Sequence, residues 1–375
     1  MTFSKDDTLA IKGISILFML THHNFRVTTL FKDQIVNFAP FTQDFVVDIA
    51  LFFKICVSLF VFVSSYGLAL SLKNTIGKHE VKVGFQFEKW LTTRLISVLS
   101  GYWFVFILSS IVCQFIDQRT TDIYFNKNLT TGVMSMVVDF LGLGKLFGIK
   151  QLNGTWWYMS AAIMIIVFVP IIYFAFKKFG YILTLVLCIG LPRVLKLEHT
   201  GTDFKSYLFL VIMGMIIAEY NILGRLKEFK IVKNFYINKV IKFVVLSILI
   251  CISYKAYLQL PMKQFWEIKL GIIPILVIYF SYEFITELPI LGTILKFIGK
   301  HSMNIFLVHT FIRAYYLKDF TYSFQHFILI IAVLLLISIA ISIVIEYFKK
   351  ILRYQKMIDR IKKFCIGKLE LLYNT

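Results

Sequence analysis

The chain has 375 residues, of which 58% are apolar and 16% charged, with a mean hydropathy of +0.78. Soluble domains run at about 45–50% apolar and about 25% charged, so this composition excludes a disordered chain and argues against a soluble enzyme. Forty Lys and Arg against 21 Asp and Glu leave a net charge of +19. Because these charges lie between long apolar runs, they read as topology signals rather than as nucleic-acid contacts.

A helical span needs about 20 mainly apolar residues. The first, centred on 9–25, reads LAIKGISILFMLTHHNF, and nothing before it has the form of a cleavable signal. Lys12 and His23 are eleven positions apart, three turns plus about 20°, so they share one helix face about 16 Å apart along the axis. His22 points about 80° away from Lys12. Ionisable groups inside spans are costly and mark function by default. An imidazole there can accept a proton near neutral pH, as a general base must. The bland alternative is a snorkelling Lys and an interfacial His pair.

The second span, Ile55–Leu72, carries Ser64, Ser65, Tyr66 and Gly67 near its end. Small residues admit a neighbouring helix or a ligand. Lys54 stands at the start of this span and needs a partner, for which Asp48 is poorly placed. Leu95–Ile116 and Gln151–Phe176 follow, both free of charge. Between them, 130–147 is moderately apolar with several Gly and suits a re-entrant or interfacial helix. Trp156, Trp157 and Tyr158 open the fourth span, as an aromatic belt does. The Asn128 and Asn153 sequons are chance matches.

Weaker spans centre on 180–196, 204–221, 239–258, 265–283 and 300–317, and Phe320–Ile345 completes a set of about ten helices. The span at 300–317 holds Asn304 and His309 within apolar sequence, with Lys300, His301 and Ser302 before them. Interhelical hydrogen bonding is the structural alternative for that pair. Most Lys and Arg fall on one side of this map if both termini are cytoplasmic. The tail 349–375 alternates apolar and basic residues as an amphipathic helix on anionic lipid does.

The fold class expected is therefore all-α, a polytopic membrane bundle over 1–348 plus a basic cytoplasmic tail over 349–375. The five Cys are scattered without metal-ligand or disulfide spacing, and no metal site is expected. GxSxG, Walker A, GxGxxG and HExxH are all missing.

Five stretches in order resemble the acyltransferase-3 family of bacterial integral-membrane O-acyltransferases. They are IKGISILFMLTHH (11–23), KICVSLFVFVSSYGLAL (54–70), RLISVLSGYW (94–103), NGTWWYMS (153–160) and IGKHSMNIFLVHTFI (298–312). FLVIMGMIIAE (209–219) fits less specifically. The resemblance covers nearly the whole chain. It implies transfer of an acyl group, usually acetyl, from cytoplasmic acetyl-CoA to a hydroxyl of a cell-surface polysaccharide or its lipid-linked precursor, with no permanently bound cofactor. By position, His23 matches the family's essential His and Lys12 its basic partner. Arg94 matches a basic residue before the third span, and with Lys89, Ser65 and Tyr66 it would contact CoA. Trp156, Trp157, Asn304 and His309 fall to the acceptor side. Ser64-Ser65 departs from the Ser-Gly of many relatives, and Lys89 and Arg94 are spaced more loosely than a paired-arginine motif. No esterase-like domain is attached, as in the stand-alone form. Membrane lipid is the expected surrounding and nucleic acid is not a partner. A glycan transporter or flippase without acyl chemistry is the alternative, with the cell membrane as location either way.

Overall fold

The structure is a computed structural model describing residues 2–76, 83–126, 128–197 and 199–374. Lys78 and Lys82, in the basic loop after the second expected span, lie outside the described residues. Helices account for almost all of the regular structure, and no strand forms among the described residues beyond an isolated bridge between Asn37 and His326.

The first helix, α1 (Lys5–Phe25), starts where Ser4 and Asp7 form a reciprocal capping box. It is followed by α2 (Gln43–Phe52), α3 (Cys56–Ile76) and the 35-residue α4 (Val83–Asp117). Two short helices, α5 (Arg119–Tyr124) and α6 (Leu129–Phe140), cap the far end of α4. Then come α7 (Trp157–Phe179), α8 (Tyr181–Val194), α9 (Leu208–Glu219), α10 (Ile222–Glu228) and α11 (Phe235–Gln259). The chain continues through α12 (Met262–Glu267), α13 (Ile273–Phe284), α14 (Pro289–Thr310), α15 (Lys318–Tyr322), α16 (Phe327–Ile351) and α17 (Tyr354–Asn374).

Six helical stretches are long and apolar enough to cross a bilayer, or seven if the pair α9 and α10, bent by 61°, counts as one. The sequence reading expected about ten. The expected spans at 9–25, 180–196 and 300–317 do form α1, α8 and α14 with its continuation, but these fall short of that standard. With 14 residues α8 is short, while α1 and α14 carry Lys and His residues. For α1 less apolarity is needed against lipid, because it is enclosed by α2, α3, α14 and α16.

Two glycines set the centre of the bundle. A Cβ on Gly299 of α14 would sit 1.9 Å from the Leu9 carbonyl oxygen of α1, and one on Gly13 would sit 2.1 Å from that of Leu295. The two backbones are therefore in contact, as small residues allow. The pair runs parallel: Asp6 bonds Lys296 at 3.2 Å near their starts, and His23 faces His309 near their ends.

The segment expected to be re-entrant forms α6, 12 residues long and too short to span. Its outer side exposes Leu129, Val133, Met134 and Val137. Its inner side buries Asp139, a carboxylate hub. Asp139 accepts from the Tyr102 and Tyr124 hydroxyls at 3.0 and 2.5 Å, the Gln151 amide at 2.9 Å and the Leu152 backbone N–H at 3.1 Å. That hub fixes the entry into α7.

The basic tail forms α17, as its periodicity predicts. It lies against the first half of α4: the Tyr354 hydroxyl donates to Ser100 O at 2.8 Å, and the Tyr373 hydroxyl to Glu88 at 3.0 Å.

Candidate active site

The parallel contact of α1 and α14, with α3 and α7 across from it, leaves a cavity of about 260 Å³. It runs along α1. Near the start of α1 it is lined by Lys12, Ser64, Val98, Ser302 and Met303; near the end by His22, His23, Arg26, Lys54, Gly201 and Thr202. Phe60, Trp157, Tyr158 and Phe306 form apolar wall between. The shared face expected for Lys12 and His23 thus opens onto one space. His22 lines it as well, so an 80° offset does not remove an imidazole from a cavity this wide.

The two imidazoles are held differently. The Nδ1 of His22 donates to the Ala50 carbonyl at 2.7 Å, which leaves Nε2 as the acceptor. The Nδ1 of His23 is buried and has no hydrogen-bond partner. Its ring lies 5.1 Å from that of His309 and 5.2 Å from that of His22, centroid to centroid. His309 is fully buried; its Nδ1 donates to Phe306 O at 2.8 Å and its Nε2 lies 3.2 Å from the Thr310 hydroxyl. Thr310 reaches Thr155 at 3.3 Å, and Thr155 donates to Asn153 at 2.8 Å. A polar track therefore leads from His309 to the start of α7. After α14 the helix widens into a π turn, Phe311–Tyr316, as often happens at functional sites. Arg313 on that turn donates to the His23 carbonyl at 3.0 Å.

Chemically, the arrangement offers a base with a free ring nitrogen, a second imidazole beside it, and cations at both ends of an otherwise apolar passage. Such a passage suits a long substrate with charge outside the reacting centre.

A family model described as an acyltransferase domain matches residues 10–347. The chain belongs to the acyltransferase-3 family. That match includes α1, with both histidines, and every other helix that lines the cavity. Neither the curated proteins nor the solved structures gave a significant match. This acyltransferase is a membrane protein, with six or seven stretches long and apolar enough to cross a bilayer.

The other expected site residues divide. Trp157 lines the cavity, whereas Trp156 is fully buried, with its Nε1 donating to Leu307 O at 3.1 Å and its ring edge-on to Tyr102 at 5.1 Å. Ser64 lines the cavity. Ser65 turns away, and its Oγ occupies the space that a Cβ on Gly214 of α9 would need. Tyr66 is buried against Phe3 and Phe62. Arg94 donates to the Ser71 hydroxyl, which also accepts from Trp90 at 3.0 Å. This places Arg94 one helical turn from the cavity-lining Val98. Lys89 lies further back, its ammonium 5.7 Å from the Phe85 ring. Asn304 faces α16, where its amide donates to Ser342 at 3.0 Å and Glu346 at 2.8 Å.

Arg26 and Arg313 are not among the site residues expected from the sequence. Both follow a His-bearing helix within four residues, and that adjacency was the available signal.

Proposed function

We propose that this acyltransferase moves an acyl group, by family habit acetyl, from cytoplasmic acyl-CoA to a hydroxyl of a cell-surface glycan or its lipid-linked precursor. The observation that carries the proposal is the single cavity holding Lys12 toward one end and His23 toward the other. The Lys12 end would face the cytoplasm, with both termini inside and α1, α8 and α14 completing an even set of crossings. The Lys and Arg distribution supports that orientation. The tail helix would lie on the cytoplasmic side, against the first half of α4.

CoA is polyanionic, so its phosphates would stay at the Lys12 end, attracted by Lys12, Arg94 and Lys89. Its pantetheine arm would enter beside Ser64 and bring the thioester to His23. The neutral imidazole takes the proton of the acceptor hydroxyl as that oxygen attacks the thioester carbonyl. The C–S bond breaks, and the departing thiolate recovers a proton, giving ester and CoA. Holding the two substrates in one enclosed space supplies much of the remaining acceleration.

The test uses purified protein in nanodiscs with acetyl-CoA. Wild type should bind acetyl-CoA and release CoA slowly by transfer to water. His23→Ala should retain binding and lose release by at least about 100-fold, the usual scale for a general base. Near-normal release in that variant removes His23 from the chemistry. Absence of acetyl-CoA binding in folded wild type favours the transporter alternative.

A further inference from the structure

Two cations, Arg26 and Lys54, line the His22 and His23 end of the cavity, and a third, Arg313, stands behind His23 and donates to its carbonyl. Arg26 follows α1, Lys54 lies in the turn before α3, and Arg313 lies on the π turn after α14. All three act electrostatically on His22. None has a carboxylate partner among the described residues, and no Asp or Glu lines the cavity. The carboxylate that acts on Lys54 is that of Asp203. Its oxygens already accept from Thr200 at 2.7 Å and from Ser206 at 2.8 and 2.9 Å. Arg313 spends one N–H on the His23 carbonyl, and its buried Nε has no partner at all.

Like charges gathered at one mouth of a cavity repel one another and attract an anion that can join them. CoA does not supply that anion. With its thioester at His23, the whole pantetheine arm separates its phosphates from these groups. Gly201 adds room, since a Cβ there would approach Lys54 Nζ to 3.1 Å.

We infer that the acceptor is anionic: it carries a phosphate diester or a carboxylate near the hydroxyl that becomes acylated, and the cavity-lining Arg26 and Lys54 bind that group. The inference rests on the acyltransfer proposed above and narrows its acceptor class. Neutral glycans would lack the anchoring group. Lys54 and Arg26 would hold the anion from the open side, while Arg313 fixes the backbone of His23 and so the position of the base.

The experiment measures binding by calorimetry to the full chain in neutral-lipid nanodiscs. The probes are glycerol 3-phosphate and glucuronate, with glycerol and glucose as neutral counterparts. At least one anionic probe should bind about tenfold or more tightly than its counterpart, as charge-assisted hydrogen bonds allow. Lys54→Gln together with Arg26→Gln should remove that preference, and Lys54→Arg should restore part of it. Equal binding of anionic and neutral probes overturns the inference, as does an unchanged preference in the double variant. Repeating the titration in anionic-lipid nanodiscs separates the two sources of anion. If lipid headgroups abolish probe binding through the same residues, the cations serve lipid and the acceptor assignment falls. Probe binding without acetyl-CoA binding would leave the anion site standing and sink the acyltransfer; the reverse result would do the opposite.

Discussion

Gly299→Ala is the most informative small change in this fold. The added Cβ would begin 1.9 Å from the Leu9 carbonyl oxygen, where ordinary contact starts at 3.4 Å. The two backbones must therefore separate locally by about 1.5 Å, because neither helix has a flexible side chain at that point to yield. Overpacking of this kind costs about 1–3 kcal/mol. The geometric effect is larger than the energetic one. His23 on α1 and His309 on α14 meet at 5.1 Å beyond this contact, so a wedge at Gly299 shifts one imidazole against the other. A displacement of about 1 Å at a reacting centre can cost about 100-fold in rate. The expected result is a lower unfolding temperature and about 100-fold slower acetyl transfer, with acetyl-CoA binding kept within a few-fold. Gly190→Ala is the control: it lies inside α8 with nothing within 4 Å of an added Cβ, so it should leave turnover unchanged and the unfolding temperature equal or slightly raised. Thermal unfolding in detergent and a thiol-release assay give the two readouts. Wild-type stability and turnover in Gly299→Ala would refute the backbone contact as the element that sets the site.

Asp139→Ala strips a buried hub from the Tyr102 and Tyr124 hydroxyls and the Leu152 N–H; it should destabilise by about 3 kcal/mol or more, seen as a drop in unfolding temperature. Asn304→Ala should lower stability by about 1 kcal/mol but leave the acceptor KM unchanged, since its amide serves Ser342 and Glu346 of α16; a raised KM would show instead that this amide meets substrate. The two tryptophans should separate: Trp157→Ala raises the acceptor KM, whereas Trp156→Ala lowers the unfolding temperature, and equal effects on both quantities would contradict their placement. Ser65→Gly should preserve acetyl-CoA affinity, because the Oγ packs at Gly214; weakened binding would return Ser65 to the donor site.

Much of the site was legible because helical periodicity is a rigid rule. Eleven residues bring a side chain back to its own face, and Lys12 and His23 do share one cavity. The charge-free runs likewise became α4, α7 and α16. Periodicity says nothing about which neighbour a face meets. Trp156 and Trp157 look equivalent in sequence, yet one donates into α14 and the other lines the passage. Asn304 and His309 share a helix but serve different partners, α16 and α1. Ser65 looked like a place for a ligand because small residues admit either ligand or helix, and a glycine on α9 decided between them. Arg313 follows His309 by four residues and shares its face, but nothing in the sequence says that this face meets the His23 carbonyl.

The parallel pairing of α1 and α14 also has a meaning in time. Helices enter a membrane in the order of synthesis. The first to arrive has its closest partner among the last, nearly 290 residues later, a pairing of very high contact order. Until α14 inserts, the notch at Gly13 stays open and His23 has no facing imidazole. The α1 half of the candidate site is therefore made early and waits, and the cavity is completed only near the end of synthesis. Chains stopped before α14 should hold lipid-embedded helices without the cavity.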